Sequence, residues 1–374
     1  MTTQHIETLI IGAGQAGLTT GYQLQRLGRS CVVIDRNERI GDNWRQQWDT
    51  LKLYSPAKYD GLPGLPFPAP PWSYPGKDDL ADYLEKYAIH ADLPVRMSTP
   101  VDRLEARAEG GFTAFLGSDT ITCDNVVVAT GTFGRTPHVP AFAADLDPGI
   151  RQLHSSEYRR ASQVGDGPVL VVGASHSGCD IAYEVAEHLP TTLVGPDRGQ
   201  IPVQWNSRLI RYVFPILKFA WSHVLTRKTP IGRKQMPEIR HHGGPMLRVK
   251  RADLAGRGVV RHLGRVAGVK DGLPQLDDGT VVEAATIVWC TGFKQVFDWI
   301  DLPVFGDDGF PQEYRGVVES VPGLFFCGLA FQYAFSSMVF LGVGRDAAYV
   351  AQQIDQRMRG AVPAVPAVRA ETAA

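Results

Sequence analysis

A short apolar strand, a glycine-rich turn, an apolar-periodic helix and a second short strand follow one another twice in this 374-residue chain, first from Ile6 and again from Val169. Each pass reads as a βαβ unit, whose parallel crossover sets the glycine turn at the carboxyl edge of a sheet. The repetition predicts an α/β protein of two nested, Rossmann-like, three-layer dinucleotide-binding domains with β-hairpin insertions. Length agrees, since single hydrophobic cores rarely exceed about 300 residues.

Residues 6–11 form the first expected strand. The helix then runs through Leu18, Leu24 and Leu27 with Gly28 as its stop, and Cys31–Ile34 is the next strand. Residues 61–75, crowded with Pro and aromatics, read as an ordered loop suited to wall a pocket. The second copy begins at Val169–Val172, turns through 173–178, runs a helix to about His188 and resumes as a strand at 192–194. A further feature repeats at one spacing: Gly131 in Ala129-Thr130-Gly131 lies 119 positions after Gly12, and Gly292 in Cys290-Thr291-Gly292 lies 119 positions after Gly173. Duplication of a nucleotide-binding half accounts for this. The expected domains are 1–158 with 293–359, and an inserted 159–292 that carries a basic insert, 201–251. Residues 259–282 read as a hairpin addition, and the Ala-, Val- and Pro-rich tail 360–374 as disordered.

Formal net charge is −1 and pI about 6.8, so no global field recruits nucleic acid. The five cysteines are scattered singly through apolar runs, which predicts a reducing, cytoplasmic setting without disulfides. No basic leader precedes the strand at Ile6, and no 18-residue apolar run is present, so neither export nor a membrane span is expected. His241-His242 lacks acidic or thiol company and reads as a solvated pair rather than a metal site.

Gly12-Ala13-Gly14-Gln15-Ala16-Gly17 sits between strand and helix, where the first glycine permits the tight turn and the second lets backbone approach a pyrophosphate on the helix N-terminus. Asp35 ends the next strand, where a carboxylate accepts from ribose hydroxyls and repels a 2′-phosphate; this suits the ADP half of FAD or NAD. In Gly173-Ala174-Ser175-His176-Ser177-Gly178, serine replaces the middle glycine. After the following strand, Arg198 suits a 2′-phosphate and Asp197 a bare ribose. The choice between NADPH and NADH therefore stays open, tilted toward NADPH by eleven Lys or Arg against the single acid Glu238 in 201–251. The mixed apolar and basic residues 208–221 also suit a helix lying on a membrane surface, but Pro215 interrupts them, so the insert reads first as a lid whose apolar face packs on the protein and whose charges face water or coenzyme phosphates.

With these residues in place the chain resembles the flavin-containing monooxygenases, most closely the short bacterial members and the plant indole-pyruvate monooxygenases, from Ile6 to about Arg359. Gly41-Asp42-Asn43-Trp44, Leu51-Lys52-Leu53 with Ser55-Pro56, the two Thr-Gly segments and Pro322-Gly323-Leu324-Phe325-Phe326-Cys327-Gly328 carry the match. His154, Ser155 and Tyr158 fit the family fingerprint, whereas its Phe is absent and Gly149 lies one place early; His176 and Pro196 also depart from the usual residues. The resemblance implies that FAD is held by Gly12, Ala13, Gly14, Gln15, Gly17, Asp35, Arg36, Asn43, Trp44, Val101, Ala129, Thr130, Gly131 and Gly328. It implies that the nicotinamide coenzyme is held by Gly173, Ser175, His176, Ser177, Gly178, Arg198, Thr291 and Gly292. The helix after Gln332-Tyr333 would point its N-terminus at the flavin.

The implied cycle passes hydride from NADPH to FAD, captures O2 as a C4a-hydroperoxide and oxygenates a small substrate: an amine, thioether, α-keto acid or ketone. No catalytic side chain is implied. The rivals are a reductase without oxygenation, including the disulfide-reductase type, which normally uses a short motif such as Cys-x-x-Cys that is absent here, and a flavin-binding sensor.

Overall fold

The computed structural model of the chain describes residues 3–131 and 136–360; the tail 361–374, expected to lack structure, lies outside them. The first unit comprises β1 (Thr3–Ile11), α1 (Gln15–Arg26), β2 (Cys31–Ile34), α2 (Asp42–Arg45), α3 (Lys77–His90), β3 (Val95–Arg96), β4 (Arg103–Ala106), β5 (Phe112–Leu116) and β6 (Asp119–Val128). Its sheet runs β3-β2-β1-β6-β5-β4, parallel through β6 and antiparallel beyond. Strand alternation builds its two faces: Ile10 joins the core under α1, whereas Leu9 and Ile11 join the core on the other side.

The chain continues through β7 (Thr136–Pro137), β8 (Arg151–His154), β9 (Val169–Val172), α4 (His176–Val185), β10 (Thr191–Val194), α5 (Ile210–Phe219), α6 (Pro230–His241), α7 (Arg251–Gly256), β11 (Val260–His262), β12 (Val266–Lys270), β13 (Leu273–Leu276) and β14 (Thr286–Trp289). The second sheet is parallel throughout, in the order β11-β10-β9-β14-β8. Two expectations are corrected here. β8, assigned in sequence to the first unit, pairs with β14, so the chain has entered the second sheet by Arg151. Within 259–282 only β12 and β13 form the expected hairpin; β11 is delivered by α7, through a left-handed turn at Gly258, as the parallel edge strand.

β15 (Phe293–Lys294) pairs with β7, so the outgoing and returning chains run side by side as a neck between the units. β16 (Leu324–Phe326) then lies parallel to the second half of β6, and α8 (Phe340–Met358) packs against α1.

The basic insert departs from its expected form. Ile210 and Phe214 on α5, with Trp205, bury a small core against Tyr59, Trp72 and Trp221. Arg227 and Arg240 reach the first unit at the buried Glu313, at 2.7 and 3.2 Å. The opposite apolar face of α5, expected to pack, is exposed at Leu209, Tyr212, Ile216 and Phe219. α5 carries apolar residues on two faces, and one packing contact satisfies only one of them.

Candidate functional site

The first glycine turn is built by collision avoidance. Gly12 adopts φ +115°, and a Cβ there would stand 2.4 Å from the Ala129 carbonyl oxygen; a Cβ at Gly17 would stand 1.8 Å from the Gly12 carbonyl oxygen. At Gly14, by contrast, a Cβ meets nothing within 4 Å. This glycine therefore leaves open room beside the start of α1, where no side chain caps the helix and no acidic residue occupies the first turn. Free amides, a positive helix end and an open approach together fit a pyrophosphate.

Asp35 is aimed by two backbone donors: Ala13 N–H donates to Oδ2 at 2.8 Å and Asn37 N–H to Oδ1 at 2.9 Å. A carboxylate accepts about four hydrogen bonds, so capacity remains for ribose hydroxyls. Ala129 closes over the turn through its N–H, which donates to the Ile11 carbonyl oxygen, and Gly328 backs onto Ala16, where a Cβ would meet the alanine methyl at 2.7 Å. Thr130 and Gly131 follow directly. Val101 lies two residues beyond Thr99, whose N–H donates to the Asp35 carbonyl oxygen. Arg36 and Asn43 are exposed. Trp44 is half-buried and packs against the cores of both units.

The second turn repeats the construction. Gly173 has φ +110°, a Cβ there would stand 2.3 Å from the Cys290 carbonyl oxygen, and one at Gly178 would stand 1.7 Å from the Gly173 carbonyl oxygen. Its mouth differs. The Ser175 hydroxyl donates to the Gly244 carbonyl oxygen at 3.0 Å, so the insert lies across the position where the first turn is open. His176, expected at the coenzyme, turns its ring inward, 5.0 Å from the Tyr54 ring and against Gly244; burial pushes its pKa down to about 4. The ring is packing, and its place in the site reduces to the main chain at the start of α4. Ser177 and Gly178 follow in the same first turn.

Arg198 is paired with Glu238, and Asp197 with Arg251 at 2.7 Å. Sequence reading missed Arg261, on β11 beside β10, whose Nε and one terminal nitrogen are buried without hydrogen-bond partners among the described residues, within electrostatic reach of Asp197. A lone arginine in a strand carries no pattern to distinguish it. Thr291 donates its hydroxyl to the His138 carbonyl oxygen, and His154 Nε2 donates to the Gly292 carbonyl oxygen at 3.0 Å, so fingerprint and Thr-Gly residues brace the neck.

Residues 51–56, part of the stretch from Gly41 to Pro56 that resembles the flavin-side segment of the monooxygenases, thread between the units. Tyr54 donates to Asp180 of α4 at 2.9 Å, and Arg248 of the insert pairs with the same carboxylate at 3.0 Å. Trp205 Nε1–H donates to the Tyr54 carbonyl oxygen at 2.9 Å. Beside this clamp, Ser55 donates to the fully buried Asp60, whose second oxygen lacks a partner among the described residues; burial raises its pKa to about 7. The Pro-rich loop walls a cavity of about 430 Å³ with Ala57, Lys58, Phe67 and Trp72.

All five thiols are buried, and burial pushes each upward, Cys31 to about 11 and Cys123, Cys179 and Cys327 to about 12. Thiols so disfavoured as thiolates are poor nucleophiles for disulfide exchange. No helix among the described residues is long and apolar enough to cross a membrane.

Two glycine cradles, each at the edge of a parallel run of strands and clamped through a shared segment, define a protein with two candidate dinucleotide sites. Residues 9–243 match the model of the pyridine nucleotide-disulphide oxidoreductase family. An uncharacterized oxidoreductase CzcO-like from Geobacillus kaustophilus is 34% identical over 94% of this chain and 99% of its own. The indole-3-pyruvate monooxygenase YUCCA1 of Oryza sativa is 27% identical over 94% of this chain and 92% of its own. A mutant of the flavin monooxygenase from Stenotrophomonas maltophilia superposes with a TM-score of 0.76 at 25% identity, covering 95% of this chain and 99% of that one. The chain belongs to the pyridine nucleotide-disulphide oxidoreductase family and is similar to flavin-containing monooxygenases. It is an oxidoreductase of FAD and a nicotinamide coenzyme.

Proposed function

We propose that the chain oxidises NADPH and places one oxygen atom of O2 on a small organic substrate, through N- or S-oxygenation or attack on a carbonyl. The balance is NADPH, H⁺, O2 and substrate giving NADP⁺, water and oxygenated substrate. The observation that carries this reading is the clamp of Tyr54, Asp180 and Arg248, which fastens the flavin-side segment to the coenzyme helix. In this reading FAD supplies hydride acceptance and oxygen activation.

The chain's own residues do the rest. Gly12, Gly14, Gly17 and Asp35 hold the ADP part of FAD, with Ala129, Thr130, Gly131 and Gly328 closing over it. Gly173, Ser175, Ser177, Gly178, Thr291 and Gly292 frame the nicotinamide coenzyme. Arg261 and, after release from Glu238, Arg198 supply cations for a 2′-phosphate, which favours NADPH over NADH. The Pro-rich loop, pinned by Tyr83 O–H to Leu65 and Tyr87 O–H to Pro63, excludes water from the flavin side.

The test is turnover of FAD-loaded protein with NADPH or NADH and ¹⁸O2 over amines, thioethers, α-keto acids and ketones. Label in a product supports the reading. Coenzyme oxidation that releases only hydrogen peroxide makes the protein a reductase, and no coenzyme oxidation makes it a sensor.

A further inference from the structure

We propose that the outward face of α5 seats the protein on an anionic lipid surface. Leu209, Tyr212, Ile216 and Phe219 are 64, 76, 69 and 61% exposed, and their steps of three, four and three residues stack them on one side of the helix. The stripe is not left over from poor packing. The other side of α5 is already satisfied, with Phe214 stacked on Tyr59 at 4.9 Å and edge-on to Trp221 at 5.8 Å. His223 prolongs the stripe, its ring 4.9 Å from that of Phe219.

Charge selects the occupant. Arg208 and Arg211 lie exposed beside the stripe, Lys218 lies over the Tyr59 ring on the packed side, and Lys228, Arg233 and Lys234 follow in the same insert. None of the six has an ion-pair partner among the described residues, whereas Arg227, Arg240, Arg248 and Arg251 are all paired. The chain as a whole carries −1, so the excess of eleven cations over one acid in 201–251 is local. A second copy meeting this face through a two-fold axis would set one cationic border against another. Anionic headgroups neutralise the same border, while the apolar and aromatic tips enter the acyl boundary. No described helix can span a bilayer, so the contact is one of resting on the surface.

FAD-loaded protein is mixed at low salt with phosphatidylcholine vesicles, with and without phosphatidylglycerol, and sedimented. Binding is expected to the anionic vesicles alone. The pair Ile216→Ser with Phe219→Ser lowers the partition coefficient about 10-fold or more, with flavin content and far-UV circular dichroism unchanged. The pair Arg208→Gln with Arg211→Gln weakens binding and flattens its salt dependence, which keeps the test decisive should the apolar pair misfold. Absence of binding to anionic vesicles overturns the proposal, as does equal binding to neutral ones. So does a dimer that the apolar pair converts to monomer in sedimentation velocity, which assigns the face to a second copy.

Discussion

Two buried groups beside the domain clamp are set against each other, and acid titration of two variants exposes them. His176 has its pKa lowered by burial from 6.5 to about 4, so its contribution to stability is full above pH 6.5 and is lost as pH falls toward 4. Asp60 is raised by burial from 3.8 to about 7, so the fold favours its neutral form; that contribution is full below pH 3.8 and is lost as pH rises toward 7. Between about pH 4 and 6.5 the two slopes oppose, each near 1.4 kcal/mol per pH unit, and they largely cancel in the intact protein. Asp60→Asn leaves His176 unbalanced, so this variant weakens on acidification. His176→Gln leaves Asp60 unbalanced, so that variant strengthens relative to the parent. Every other titrating group is common to both, and the difference in their unfolding free energies changes by about 4 kcal/mol between pH 4.5 and 6.0. Urea unfolding at 25 °C, followed by tryptophan fluorescence, reads it. A difference that stays flat within about 1 kcal/mol over that range refutes the assignment of buried, oppositely shifted groups.

Gly14→Ala should leave the apoprotein's stability within about 0.5 kcal/mol, because its Cβ meets no protein atom, yet weaken FAD binding about 10-fold or more; Gly12→Ala should damage both, and flavin titration beside thermal unfolding separates them. Arg261→Gln should raise the KM for NADPH about 10-fold and leave that for NADH unchanged, checked by steady-state kinetics. Glu313→Gln strands Arg227 and Arg240 beside a neutral amide and should cost about 3 kcal/mol, seen as faster hydrogen exchange in α6 if the insert detaches first.

The parts legible in sequence are those governed by local sterics. Gly12 and Gly17 announce their turn because a strand end, two close approaches and a helix start fall within six residues, and the second turn does the same. β8 was misassigned because its partner β14 lies 135 positions on, and nothing within Arg151–His154 records that pairing. The inward turn of His176 follows from Gly243 and Gly244, brought back from the far end of the insert. In and around α5 the sets Ile210, Phe214, Trp221 and Leu209, Tyr212, Ile216, Phe219 both keep helical spacing, so only tertiary contact decides which is covered. Arg261 acquires meaning from β10 alone.

The return of Gly328 to Ala16 makes completion of the flavin cradle a late event in the life of the chain. More than 300 residues must be synthesised after Gly12 before its cradle is whole, and contacts this distant in sequence form slowly. The inserted unit eases the search, because once folded it delivers Phe293 beside Pro137 and shortens the path left to close. A nascent chain whose first 300 residues have emerged from the ribosome should therefore present a finished coenzyme module and an unfinished flavin one, and yellow colour should come only after Gly328 has emerged.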